Sequence, residues 1–203
     1  MPYYAIEEFI PVVDPTAFVH PTATLIGDAI VGPRCYVGHG ASMRGDYGRV
    51  SLRAGATLQD NCVMHAFPGN EALVEEDGHV GHGAILHGCI VRRGALIGMS
   101  AVIMDGADIG EYSFVAAMSF VKAAMVVPPR TLVGGIPARI MRALTDQDLA
   151  WKANGTREYQ DLAARCNASL RECTPLSAPE PGRSARPATA TIPLSELKKK
   201  GGA

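Results

Sequence analysis

An apolar residue recurs every six positions through most of this chain: Val19, Leu25, Val31, Val37 and Met43, then Leu52, Leu58 and Met64, then Ile85, Val91, Ile97, Ile103, Ile109, Val115 and Val121. That period fits neither an amphipathic helix nor the simple alternation of a single strand. It fits a coil of three short flats, each giving one large inward residue, with successive coils stacked into a triangular prism. Four places after each large residue the side chain is usually small, as at Ala23, Ala29, Cys35, Ala41, Ala56, Cys62, Cys89, Ala95, Ala101, Ala107, Ser113 and Ser119. Large and small side chains therefore alternate toward one interior. Gly32, Gly38, Gly98 and Gly110 follow large residues and are expected at tight corners, where an unusual backbone conformation is easier without a Cβ.

The pattern breaks twice, at Tyr47 to Arg49 and over the polar stretch from Ala66 to Gly78. Insertions in a solenoid are expected to become surface loops, and such loops carry function that a rigid repeat cannot. The repeat ends near Pro128-Pro129, and Gly134 to Arg139 leads away. From Thr145 the pattern turns helical: Thr145 and Asp148 form a helix-start signature, Gly155-Thr156 restarts it, and Tyr159, Leu162, Ala163, Cys166 and Leu170 share one face. The expected organisation is a β-helix domain over 1–140, a helical segment over 141–173 packing along the prism, and a flexible tail over 174–203. The tail's Pro, Ser, Ala and Arg content buries too little apolar surface to order itself.

Composition narrows the partners. With 203 residues, 47% apolar and 19% charged, one globular domain is expected, and a net charge of −1 gives no basic surface for nucleic acid or an anionic membrane. No stretch approaches the roughly 20 apolar residues that span a bilayer, and Met1 to Tyr4 does not resemble a signal peptide, so a soluble cytoplasmic protein is expected. Five cysteines, widely spaced, indicate neither a disulfide framework nor a Cys-x-x-Cys metal site. Cys35, Cys62 and Cys89 occupy the small inward slot and read as core filling.

Four of six histidines, His65, His79, His82 and His87, fall within 23 residues that bracket the longer insertion. His20 and His39 read as surface histidines. His79 sits at the inward phase of its hexad and reads as a structural residue. His82 and His87 are expected on adjacent flats, diverging from each other, so one prism does not easily aim both at one metal. If they are ligands, a neighbouring chain must donate one of them, and a symmetric trimer is the natural assembly for a three-sided prism. On spacing alone, a metal site and a set of separate histidines stand level. Three neutral imidazoles with an open fourth position is the arrangement by which zinc holds a water and lowers its pKa toward neutrality. Arg44, Asp46, Gln59 and Asp60 are polar residues in neighbouring coils. Arg44 and Asp46 also read as an exposed ion pair, and Gln59 and Asp60 as a turn between flats.

The segments Arg44-Gly45-Asp46, Gln59 to His65 and Gly81 to Cys89 together resemble the γ-class carbonic anhydrase family of left-handed parallel β-helix trimers, over about residues 10 to 170. The resemblance implies that His65 and His87 of one subunit and His82 of its neighbour bind the metal. It implies an inter-subunit ion pair between Arg44 and Asp46, with Gln59 beside the metal-bound water. Asn154 and Tyr159 keep the spacing of an Asn and a Tyr that face the site in that family. Within the family, Leu149 to Lys152, Gly155 to Gln160 and Asp60 to His65 look closest to the branch associated with phenylacetate degradation and carnitine operons. For the phenylacetate proteins that branch implies thioesterase activity toward coenzyme A esters. The family's acidic proton shuttle follows the first metal histidine, and Pro68 stands three residues past His65 here; Glu71, Glu75 and Glu76 lie further along the same insertion.

The leading expectation is a zinc-dependent acyl-CoA thioesterase, with Fe2+ or Co2+ as alternative metals. The others are a carbonic anhydrase, a hexapeptide acyltransferase using His79 as base, and a non-catalytic trimer pinned by metal.

Overall fold

A computed structural model of the chain describes residues 3–185 together with Ile192 and Glu196. The part of the expected flexible tail at 186–191, 193–195 and 197–203 lies outside the described residues. The chain winds as a left-handed parallel β-helix closed by one C-terminal helix.

Most flats are short strands of two to four residues stacked in parallel register on the same flat of the next coil, while Thr24–Val31 and Ser42–Leu52 each run through two flats. One face carries Phe18–Val19, Tyr36–Val37, Thr57–Leu58, His79–Val80, Leu96–Ile97 and Phe114–Val115. A second stacks Val63–His65, Ile85–His87, Val102–Ile103 and Phe120–Val121. The third runs from Thr24–Val31 through the end of Ser42–Leu52 to Glu71–Val74, Ile90–Val91, Asp108–Ile109 and Val126–Val127. Thr131–Gly135 and Ala138–Ala143 then pair antiparallel, which ends the solenoid.

Strand residues alternate in direction, so one of each pair points inward. Leu25, Met43, Leu58, Met64, Ile97, Ile103 and Ile109 are fully buried in a single core, with Ala and Cys filling the space between. Each such large side chain contributes about 1.5–3 kcal/mol on burial. Burial pushes the thiols of Cys35 and Cys89 up to about 12 and that of Cys62 up to about 11, so all three are inert core atoms.

Five local expectations are corrected. Ile85 is 40% exposed and Leu86 takes the inward place, because the turn at Gly88 leaves only five residues, not six, from Leu86 to the next inward residue, Val91. By the same shift His79 points out of the prism while Val80 fills it. Tyr47 to Arg49 lies inside the strand Ser42–Leu52 as a register shift opposite Gly27/Ala29, and is not a loop. Much of the longer insertion is also strand: Glu71–Val74 supplies the missing flat, with Ala72 and Val74 fully buried. Finally, Gly32, Gly38, Gly98 and Gly110 do not adopt positive φ. A Cβ at Gly98 would lie 2.4 Å from the Ala117 nitrogen, so close approach of stacked coils is what requires glycine there. The left-handed corners fall instead at Gly40, Asn61, Gly83, Ser100 and Met118 in successive coils.

The helix spans Asp146–Ser169 without interruption at Gly155, started by a reciprocal capping box between Thr145 and Asp148. It runs back along the face of Phe18–Val19, Tyr36–Val37 and Thr57–Leu58. Its buried residues are Asp148, Lys152, Thr156 and Ala163, and Gln160 donates to Gly55 O while Asn167 donates to Ala17 O. No helix among the described residues is long and apolar enough to cross a membrane.

Candidate metal centre

Parallel register places Arg44 beside His65 and His65 beside His87, one coil apart on the same face. His65 Nδ1 lies 3.2 Å from His87 Nε2. The outer nitrogens each meet a carboxylate: His65 Nε2 is 3.0 Å from Asp46 Oδ1, and His87 Nδ1 is 2.7 Å from Asp105 Oδ1. An ionised carboxylate only accepts, so those outer nitrogens carry the protons. The inner nitrogens then turn lone pairs toward one another, an arrangement that a shared cation relieves. Two imidazole nitrogens on one tetrahedral zinc, at ~2.0–2.1 Å each, stand about 3.3–3.4 Å apart. The donor chemistry and the spacing of this pair therefore fit zinc.

His82 stands apart from the pair. It lies in the turn before Ile85–His87, whose last residue is His87, so the two occupy opposite ends of one flat and not adjacent flats. Five residues of extended chain separate them, up to about 16 Å. Asp60 Oδ2 is 2.9 Å from His82 Nδ1. Among the described residues of a single chain, no group of three or more His, Cys, Asp or Glu is placed to hold a metal ion.

The buried Gln59 meets His82 at the backbone and His79 at the ring: its Oε1 accepts the His82 backbone N–H at 3.1 Å, and its Nε2 lies 2.7 Å from His79 Nε2, while the His82 side chain is 43% exposed. Asp60 Oδ1 also accepts the His39 backbone N–H at 2.9 Å. Arg44 and Asp46 pair within the chain at 3.3 Å, with the Arg44 side chain 47% exposed. Tyr159 packs edge-on against His79 and Tyr36, whereas Asn154 is exposed. Of the glutamates on the insertion, Glu75 is engaged by Arg92 and Glu76 faces Arg93, while the buried Glu71 Oε1 has no hydrogen-bond partner.

No protein-family model matches the chain. Its sequence is 59% identical over 183 residues to carnitine operon protein CaiE of Salmonella agona, an alignment covering 90% of this chain and 92% of that protein. The chain belongs to the CaiE family of hexapeptide-repeat proteins. Two solved structures share the fold of this CaiE-family chain. A Bacillus cereus protein assigned as an acetyltransferase is 33% identical, covering 82% of this chain and 96% of its own, with a TM-score of 0.81. A hexapeptide transferase family protein from Anaplasma phagocytophilum is 29% identical, covering 80% and 96%, with a TM-score of 0.77.

Sequence reasoning missed three residues at the CaiE-family histidine pair. Asp105 follows His87 by one coil, a signal hidden because insertions make the earlier coils unequal. Tyr47 and Phe67 set their rings 5.7 Å from His65 and 5.0 Å from His87, yet are 66% and 53% exposed. Both fall in the breaks of the repeat, which was the available signal.

Proposed function

We propose that this protein is a metal-dependent hydrolase of acyl-CoA thioesters, with zinc held between subunits of a homotrimer by His65 and His87 of one chain and His82 of the next. One observation carries the metal site. Each of these three histidines has one ring nitrogen on a carboxylate, Asp46, Asp60 or Asp105, which fixes the ring and its tautomer as metal-ligating histidines require. His82 and His87 at opposite edges of one flat suit a threefold assembly, in which one edge of a prism meets the other edge of its neighbour.

Zinc bound there supplies Lewis acidity and lowers the pKa of water toward neutrality. The chain's own residues do the rest. Gln59, beside His82, presents an amide to accept or donate a proton contact at the reacting group. Tyr47 and Phe67 wall the histidine pair with apolar surface, and Glu71 is the carboxylate left to take up a proton. The thioester substrate rests on the resemblance to proteins of phenylacetate degradation; acyl chemistry is supported by the assignment of the Bacillus cereus relative as an acetyltransferase, and group transfer by that of the Anaplasma phagocytophilum relative. Those assignments favour acyl transfer to an acceptor other than water as the second reading. His79 does not provide its base, because burial pushes that imidazole down to about 3 and Gln59 and Thr156 occupy its nitrogens.

The test is metal content together with hydrolysis of a panel of aromatic and short acyl-CoA esters, for wild type, His82→Ala and a chelated sample. Turnover lost in both altered samples is the expected result. Metal with CO2 hydration and no thioester cleavage points to an anhydrase. Thioester consumed only when an acceptor is added points to the transferase, and absence of metal removes the hydrolase reading.

A further inference from the structure

Behind Gln59 lies a hydrogen-bonded series that ends on the C-terminal helix. Gln59, His79 and Thr156 are 4%, 8% and 3% exposed, so their polar atoms are shielded from bulk solvent. The His82 backbone N–H, which can only donate, reaches one end of the Gln59 amide at 3.1 Å and so selects the oxygen for that end. The amide nitrogen is then the atom 2.7 Å from His79 Nε2, and since it can only donate, His79 Nε2 must accept. A neutral imidazole that accepts at Nε2 carries its proton on Nδ1, which faces Thr156 Oγ1 at 3.4 Å. Tyr159 closes the ring edge-on with centroids 5.1 Å apart. Burial, with the Lys152 charge nearby, keeps the imidazole neutral, in agreement with this tautomer.

We infer that His79, held by Thr156 of the helix, is a positioning residue that fixes which way the Gln59 amide faces. Two of the amide's valences are spent inside, on His82 N–H and His79 Nε2. One oxygen lone pair and one N–H remain to meet the reacting group. Without His79 the amide loses its inner acceptor and turns to find another, and a misplaced group at a reacting centre costs rate far more than it costs binding. The helix, far from the histidine pair in sequence, thereby sets the geometry of a residue beside the metal. The kinetic part of this inference rests on the hydrolase reading; the tautomer does not.

Two measurements test it. In wild-type protein labelled with 15N-histidine, the His79 ring is expected to show a protonated Nδ1 and an unprotonated, accepting Nε2 at neutral pH. An Nε2–H tautomer or an imidazolium overturns the inference whatever the enzyme does. In kinetics, His79→Leu is expected to lower kcat about tenfold or more at near-constant KM and full metal content. His79→Gln, whose amide oxygen can accept from Gln59, is expected to recover most of it. Wild-type kcat in His79→Leu, or an equal loss in His79→Gln, contradicts the positioning role. If wild type cleaves no thioester, the hydrolase reading fails and the tautomer measurement alone decides.

Discussion

At the scale of single residues, the carboxylates behind the histidines are what favours the proposed metal centre over three separate imidazoles. Asp105 Oδ1 lies 2.7 Å from His87 Nδ1. Asp105→Asn keeps an oxygen acceptor but loses the charge that makes the ring a stronger ligand. Metal affinity measured by competition with a chelating dye should fall about 10–100-fold, with the fold intact by circular dichroism. Unchanged affinity would detach Asp105 from the centre. Four histidines stood out as candidates because they cluster around a break in the repeat, and the family resemblance singled out three of them. Asp105 was not: Asp46, His65, His87 and Asp105 meet through side chains across successive coils, but their separations of 19, 22 and 18 residues follow no fixed stride. Gln59 was legible as a candidate, whereas its inner partners were not, because the phase that seemed to turn His79 inward slips by one residue at Gly88.

At the scale of elements, the helix is attached by polar contacts as much as by apolar ones. Its start was readable from Thr145 and Asp148, and the reciprocal capping box is formed. Thr145→Ala should cost about 1 kcal/mol, read as a lowered Tm. Its first half was not readable from hydrophobic periodicity, because the residues it buries there are Asp148, Lys152 and Thr156. Asp148 is held by Arg142 at 2.7 and 3.0 Å, and Lys152 donates to the Asp77 carbonyl. Burial pushes the Lys152 ammonium down to about 8 from an ordinary 10.5. Below pH 8 the folded and unfolded chains both carry this charge, and the folded chain bears its full desolvation cost. Between these two values the folded chain releases the proton while the unfolded chain keeps it, so stability rises with pH through that window. Relative to Lys152→Met, wild type should gain about 3 kcal/mol from neutral pH to above 10.5. Paired denaturation curves across that range test it, and a constant difference between the two proteins would show that Lys152 is not desolvated.

At the scale of the whole molecule, the repeat makes the prism, and the proposed trimer would be what completes the site. The six-residue period exposed the fold because each coil repeats the same packing problem, and insertions only moved its phase. Within one chain a rigid flat holds His82 at one end and His87 at the other, and among the described residues no group of three or more His, Cys, Asp or Glu is placed to hold an ion. This geometry predicts complementation between two inactive proteins. His82→Ala retains the His65/His87 pair, and His65→Ala retains His82 with Asp60 and Gln59 beside it. Each alone should lack metal and turnover. Dissociated, mixed in equal amounts and reassembled as trimers, the two should regain about a quarter of wild-type metal and activity, because an interface works only when each chain faces the other with its intact edge. A mixture that stays inactive although mass spectrometry shows mixed trimers would mean that both ligand sets are needed within one chain. The threefold site, and with it the hydrolase built on it, would then have to be abandoned.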